Sequence, residues 1–153
     1  MPLQIPPLPL GRKGTVEKPV RVEDTADFQG YEGVPVLSTP SLFLGMELAC
    51  AAAVEELLPP SLRHVGTRTD ARHLAATPIG LKVTAEAELI KVDGRRLIFR
   101  CQARDPVGLI GEGIHERWIV DWAQFCQGLE EKKRICASLQ DPQSSFKGEN
   151  HEP

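Results

Sequence analysis

The sequence predicts an α+β domain in which a curled antiparallel sheet wraps one long central helix, with a second helix at its C-terminal end. Two observations carry this. The run from Pro40 to Val54 reads as a helix that is apolar nearly all the way round, with Glu47 its only charge, and such a helix needs cover on every side. It is followed by segments of alternating apolar and polar residues separated by short turn signals, the pattern of an antiparallel meander. A curled sheet needs something to wrap, so each requirement answers the other.

The elements follow in order. Residues 1–13, with Pro2, Pro6, Pro7 and Pro9, are expected as a flexible or polyproline-like arm. Residues 14–22 read as an edge strand, because Pro19 cannot donate to a ladder. Residues 24–36 hold Gly30, Gly33 and Pro35 and read as a loop. Thr39 is the expected helix N-cap and Pro40 the first helical residue. The helix should run to about Leu58, where Pro59-Pro60 stops it. Its small residues Gly45, Ala49, Ala51, Ala52 and Ala53 imply a neighbour packed close to the axis.

Four strands are expected after it. Residues 64–75 place Val65, Thr67, Thr69, Ala71 and His73 on one side. Residues 81–92 alternate cleanly, Asp93-Gly94 signals a hairpin turn, and strands over 95–105 and 109–121 complete the meander. Residues 123–139 read as an amphipathic helix with Glu130 to Arg134 on its solvated face. The polar stretch 140–153 is expected as a disordered tail, which leaves a single domain over 14–139.

Composition narrows the function. The chain has 153 residues, enough for one real core, and 41% of them are hydrophobic. A formal net charge of -3 argues against a nucleic-acid binder, which would show a basic stripe. No apolar run reaches the roughly 18 uncharged residues of a membrane span, since Glu47 interrupts the longest one. The opening Met1 to Leu10 is broken by prolines and has no basic residue before it, a poor signal peptide. The four cysteines, Cys50, Cys101, Cys126 and Cys136, form no close pair of metal-ligand type and read as free thiols of a reducing compartment. Cytoplasm is the expected location.

Glu47 is the residue that points to chemistry. A lone carboxylate in an apolar helix must be partnered, neutralised or used. The strings Thr39 to Cys50 (TPSLFLGMELAC), His73 to Leu81 (HLAATPIGL) and Gly113 to Arg117 (GIHER) together resemble the hotdog thioesterases of the fluoroacetyl-CoA thioesterase type. The layout of the elements is that of the hotdog fold, and the resemblance covers roughly residues 34–125.

The resemblance implies a catalytic triad that falls on Thr39, Glu47 and His73, a strand glycine at Gly66, and the string ending in Arg117. It also implies an acyl-CoA substrate, a homodimer and no cofactor beyond the CoA of the substrate; no cluster of ligand spacing suggests a metal. The fluoroacetate-specific member carries an aromatic gate six residues before its threonine. Here that position is Gly33, with Tyr31 the nearest aromatic, so fluoroacetyl specificity is not implied.

The residue chemistry agrees with that assignment. Thioester hydrolysis needs a nucleophile or general base, a proton carrier and donors for an oxyanion. Glu47 suits the first and His73 the second; Thr39 either orients Glu47 or donates to the substrate carbonyl, and the free N–H groups at the helix start suit the third. The eight positions from Thr39 to Glu47 rise roughly 12 Å along a helix axis, so the two would not touch within one chain unless the entry loop folds back; a site at a dimer interface is the simpler expectation. Pairing of dimers into tetramers stays open. Arg117 is expected in a structural or substrate-side ion pair with Glu116 or Glu47, and Gly66, Gly33 and Tyr31 with it on the substrate side; His64 and His115 are expected as surface or pairing residues. Arg63, Arg68, Arg72, Arg95 and Arg96 are all candidates for the CoA phosphates.

Two other functions compete. A non-catalytic acyl-CoA sensor would bind CoA esters without releasing thiol. An enoyl-thioester hydratase would need an aspartate followed five positions later by histidine, which the chain lacks.

Overall fold

A computed structural model of the chain describes residues 2–140; the expected tail over 141–153 lies outside them. The order is β1 (Lys13–Pro19), α1 (Thr39–Val54), β2 (Leu62–His73), β3 (Lys82–Asp93), β4 (Arg96–Arg104), β5 (Leu109–Asp121) and α2 (Trp122–Leu139), with short 3-10 turns at Val22–Asp24 and Glu55–Leu57. The five strands form one antiparallel sheet in the order β1-β3-β4-β5-β2. This is the hotdog architecture. Among the described residues no helix is long and apolar enough to cross a membrane.

The meander β3-β4-β5 forms from consecutive hairpins, the first through Asp93-Gly94, where Gly94 has φ +58 as such a tight turn requires. Its inner face presents Leu89, Phe99, Cys101, Ala103 and Ile119 to the buried side of α1, which contributes Leu42, Met46, Ala49, Cys50 and Ala53. Each larger side chain withdrawn from water in this way contributes on the order of 1.5–3 kcal/mol. The small residues have the expected neighbour: a Cβ on Gly14 of β1 would run into the backbone of Ala49 and Ala53.

Element boundaries, the N-terminal residues and the cover of α1 differ from the expectation, in that order. Strand β1 ends at Pro19, and α1 gives way after Val54 to the 3-10 turn, so the helix is shorter than the run to Leu58. Residues 3–12 lie against the body and do not form a free arm. Leu3, Ile5 and Leu8 pack on the core, Gly11 N–H donates to the Leu89 carbonyl at 2.8 Å, and Arg12 Nε donates to the Ala53 carbonyl at 3.1 Å. Third, α1 is not covered all round: Leu44 and Leu48 are 51% and 45% exposed, and Glu47 lies between them.

Strand β2 has a bulge. Its register with β5 shifts between Gly66 and Arg68, leaving Thr67 unpaired. An extra residue reverses the alternation of faces. His64 and Gly66 before the bulge therefore share the helix-facing side with Thr69, Ala71 and His73 after it, and the expected row beginning at Val65 and Thr67 does not form.

Candidate active site

The start of α1 is capped by Ser38. Ser38 has extended backbone (ψ 155) and its Oγ accepts from the Ser41 N–H at 3.1 Å, so Thr39, expected as the cap, is already helical. The shift by one residue has a chemical consequence. A capping hydroxyl is occupied by the backbone, whereas the Thr39 hydroxyl reaches His73 Nδ1 at 2.9 Å. His73 ends β2 beside the helix start, and its Nε2 is buried without a hydrogen-bond partner. Buried polar atoms are normally satisfied, so the unpaired Nε2 stands out.

The helix start offers fewer free N–H groups than the sequence implies. Ser41 N–H goes to Ser38 Oγ, Leu42 N–H to the Ser38 carbonyl at 3.0 Å, and Pro40 has no N–H. Among the described residues Thr39 alone retains an uncommitted N–H there, next to its own hydroxyl.

Glu47 sits in a second cluster, two turns along α1. Arg117 of β5 donates from Nη1 to Glu47 Oε1 at 3.0 Å. The Arg117 side chain is 8% exposed and that of Glu47 38%, so the glutamate is presented at an open face and is not sealed in the core as expected of an all-round apolar helix. Of the two partners expected for Arg117, Glu47 is the one found; Glu116 pairs with Arg96. Gly66 makes room for the carboxylate, since a Cβ there would lie 2.5 Å from Glu47 Oε1.

Two histidines complete this cluster. Arg117 Nε donates to His64 Nδ1 at 2.7 Å, and Nη1 lies 3.1 Å from His115 Nε2. Guanidinium has no acceptor, so both ring atoms are unprotonated; His115 Nδ1 then carries the hydrogen and donates to Thr69 Oγ1 at 2.8 Å. Burial and the Arg117 charge push His64 down to about 4 and lower His115 for the same reasons. His115, expected as a surface or pairing residue, is a buried partner of Arg117.

The structure thus brings Thr39 to His73 and Glu47 to Gly66 and Arg117. Among the described residues no hydrogen bond joins the two clusters within one chain. Tyr31 is 74% exposed and Gly33 lies in a turn with φ +82, its N–H bonded to Asp27 Oδ1 at 2.7 Å; neither touches the triad positions. Of the candidate phosphate ligands, Arg96 is held by Glu116 and Arg63 lies 5.8 Å over the Trp122 ring. A cleft of about 490 Å³ crosses the outer sheet face between Lys13, Glu88, Arg100, Glu112 and Arg72. Alternating cross-strand charges line it, and it lies on the side of the sheet turned away from Glu47. Among the described residues no group of His, Cys, Asp and Glu gathers as a metal site.

Residues 20–123 match the family described as FlK, fluoroacetyl-CoA-specific thioesterase. The chain belongs to this family. It is 44% identical over 87 residues to the fluoroacetyl-CoA thioesterase of Streptantibioticus cattleyicolor, a match covering 57% of this chain and 63% of that relative. The aligned part thus spans less than two thirds of the relative's length. A solved structure of the fluoroacetyl-CoA thioesterase FlK superposes with a TM-score of 0.77 at 34% identity, over 82% of this chain and 98% of the other. A thioesterase superfamily member from Thermus thermophilus gives 0.81 at 30% identity, over 86% and 98%.

Proposed function

We propose that the chain hydrolyses an acyl-CoA thioester to the free acid and CoA, using Thr39, Glu47 and His73 in a site completed by a second copy of the chain. The observation that carries this is the Thr39–His73 pair, held at 2.9 Å with His73 Nε2 buried and unpartnered. Structural histidines satisfy both nitrogens; a proton carrier keeps one for the reaction.

In this reading Glu47 attacks the thioester carbonyl carbon. The C–S bond breaks and the departing CoA sulfur takes a proton from His73 Nε2. Water then hydrolyses the mixed anhydride, its proton returning to His73, and Glu47 is regenerated. The same residues serve a general-base route, in which Glu47 takes a proton from the attacking water. On either route the Thr39 hydroxyl and N–H are the donors nearest a developing oxyanion. Arg117 fixes one carboxylate oxygen, which orients the other. Water is the only co-substrate these steps need.

The second copy is supported by three features of the single chain. Thr39 and Glu47 lie too far apart on α1 to act together within one chain. The apolar stripe of Leu44 and Leu48 beside Glu47 is uncovered, and such patches mark interfaces. Strand β2 is a twelve-residue sheet edge, an open template for pairing. Homodimerisation through α1 and β2 covers all of this at once.

Gly33 bears on the acyl group. Its φ of +82 is strained for any residue with a side chain, so the turn is not built for the bulky gate, and acyl groups wider than fluoroacetyl are accommodated. The described cysteines are all free, which suits the reducing cytoplasm. The test is thiol release, followed with a chromogenic thiol reagent, from acyl-CoAs running from acetyl to long-chain and aryl. Turnover that collapses in Glu47→Ala and His73→Ala while folding persists supports the proposal. Binding of CoA esters with no thiol release from any of them would overturn it in favour of a sensor.

A further inference from the structure

We propose that His64 is a positioning residue of this site, acting through Arg117 as a neutral acceptor that aims the guanidinium at Glu47. The inference rests on the hydrolytic reading above for its catalytic consequence, but its geometry is independent of it. The bulge at Thr67 turns His64 to the helix-facing side of β2, where Nδ1 accepts from Arg117 Nε at 2.7 Å. The His64 carbonyl receives Arg117 Nη2 at 3.5 Å. On the other side Arg117 Nη1 reaches Glu47 at 3.0 Å and His115 at 3.1 Å.

A guanidinium is planar, so fixing Nε and Nη2 on one edge fixes the direction of Nη1. His64 and Glu47 thus sit at opposite ends of one rigid fork. Replacing the acceptor by an apolar group leaves a buried charged donor unsatisfied, which forces Arg117 to turn toward another partner. Glu47, with an open face beside it, then loses its fixed oxygen.

Burial and the neighbouring Arg117 keep His64 neutral at ordinary pH. The charged groups facing it are Arg117 from β5, Arg63 from its own strand and Glu55 from the turn after α1; the two arginines oppose protonation and Glu55 favours it. A protonated ring would present a hydrogen to the Arg117 donor and break the fork.

The experiment compares wild type, His64→Leu and His64→Asn. Asn Oδ1 can take the place of Nδ1, so it restores the acceptor without the titrating ring. The first readout is the Arg117 Nε–H resonance in protein labelled with nitrogen-15 arginine, through its shift and exchange protection. The second is kcat and KM with acetyl-CoA and any better thioester from the panel. The expected result is loss of Nε–H protection in His64→Leu, with kcat reduced roughly tenfold or more and KM little changed. His64→Asn should recover most of both. An unchanged Nε–H signal or an unchanged kcat in His64→Leu overturns the proposal. If wild type hydrolyses no thioester, the hydrolytic reading fails by itself, and the Nε–H signal still decides whether His64 holds Arg117.

Discussion

The hydroxyl of Thr39 lies 2.9 Å from His73 Nδ1 because Ser38, one residue earlier, caps the helix. Capping and the contact with His73 are divided between neighbouring hydroxyls, and each can be removed separately. Ser38→Ala should lower stability to chemical denaturation by about 1 kcal/mol. Thr39→Val should leave stability nearly unchanged while turnover falls on the order of a hundredfold, and Thr39→Ser should retain most activity. Equal loss of stability in both Ser38→Ala and Thr39→Val would remove the distinction.

Gly66 gives a second separation of fold from chemistry. Its backbone is ordinary strand, so alanine is conformationally acceptable, yet the new Cβ would lie 2.5 Å from Glu47 Oε1. The glutamate is flexible and 38% exposed, so it can turn outward, at the cost of loosening its bond to Arg117; the His115 ring, 3.3 Å from the same Cβ, need give by only a few tenths of an ångström. Gly66→Ala is expected to hold its stability within about 1 kcal/mol while kcat falls roughly tenfold or more through the displaced carboxylate.

Gly14 makes the opposite case. There a Cβ would meet the backbone of Ala49 and Ala53 in α1, and a helix backbone cannot step aside as a side chain does. Gly14→Ala should cost about 1–3 kcal/mol in a denaturant titration at constant slope. A neutral result would mean that β1 and α1 are not packed as closely as described.

Stability should depend on pH through His64 and His115. Both are held below the ordinary histidine value, His64 at about 4, so between about 6.5 and 4 the unfolded chain binds more protons than the folded one. Stability is therefore fully present above about 6.5 and falls as the pH is lowered toward 4. The His64 share is on the order of 2 kcal/mol after allowing for its partial exposure. Denaturation series at pH 7, 6, 5 and 4.5 should show this slope, and His64→Asn should flatten it. The lowered carboxyls Asp24 and Asp105 add their own loss only below about 4, where they begin to protonate.

Much of this was legible in the sequence, for reasons that particular residues make plain. Strand β5 runs from Leu109 to Asp121 as its turn signals indicate. The resemblance singled out Thr39 and His73, but the residue chemistry assigned Thr39 to Glu47 or the substrate carbonyl. Its contact with His73 was not legible, because it depends on where β2 ends beside the helix start. The cap was misplaced by one position because Ser38 and Thr39 are both good caps, and only the backbone angles choose between them. His64 was not legible: the extra residue Thr67 reverses the alternation of β2, and nothing in a run of polar residues announces a bulge. The exposed stripe of Leu44 and Leu48 was hidden by the same apolar pattern that found the helix, since periodicity does not say whether the covering surface comes from the same chain.

The most direct test of the account is complementation between inactive variants. Glu47→Ala and His73→Ala, each inactive alone, are unfolded together, refolded as a mixture and assayed for thiol release. If each site takes Glu47 from one chain and the Thr39–His73 pair from the other, half of the random dimers hold one intact site. Activity should then return to roughly a quarter of wild type. No recovery from a mixture shown to contain heterodimers would contradict the shared site and place Glu47 and His73 within reach of each other in a single chain.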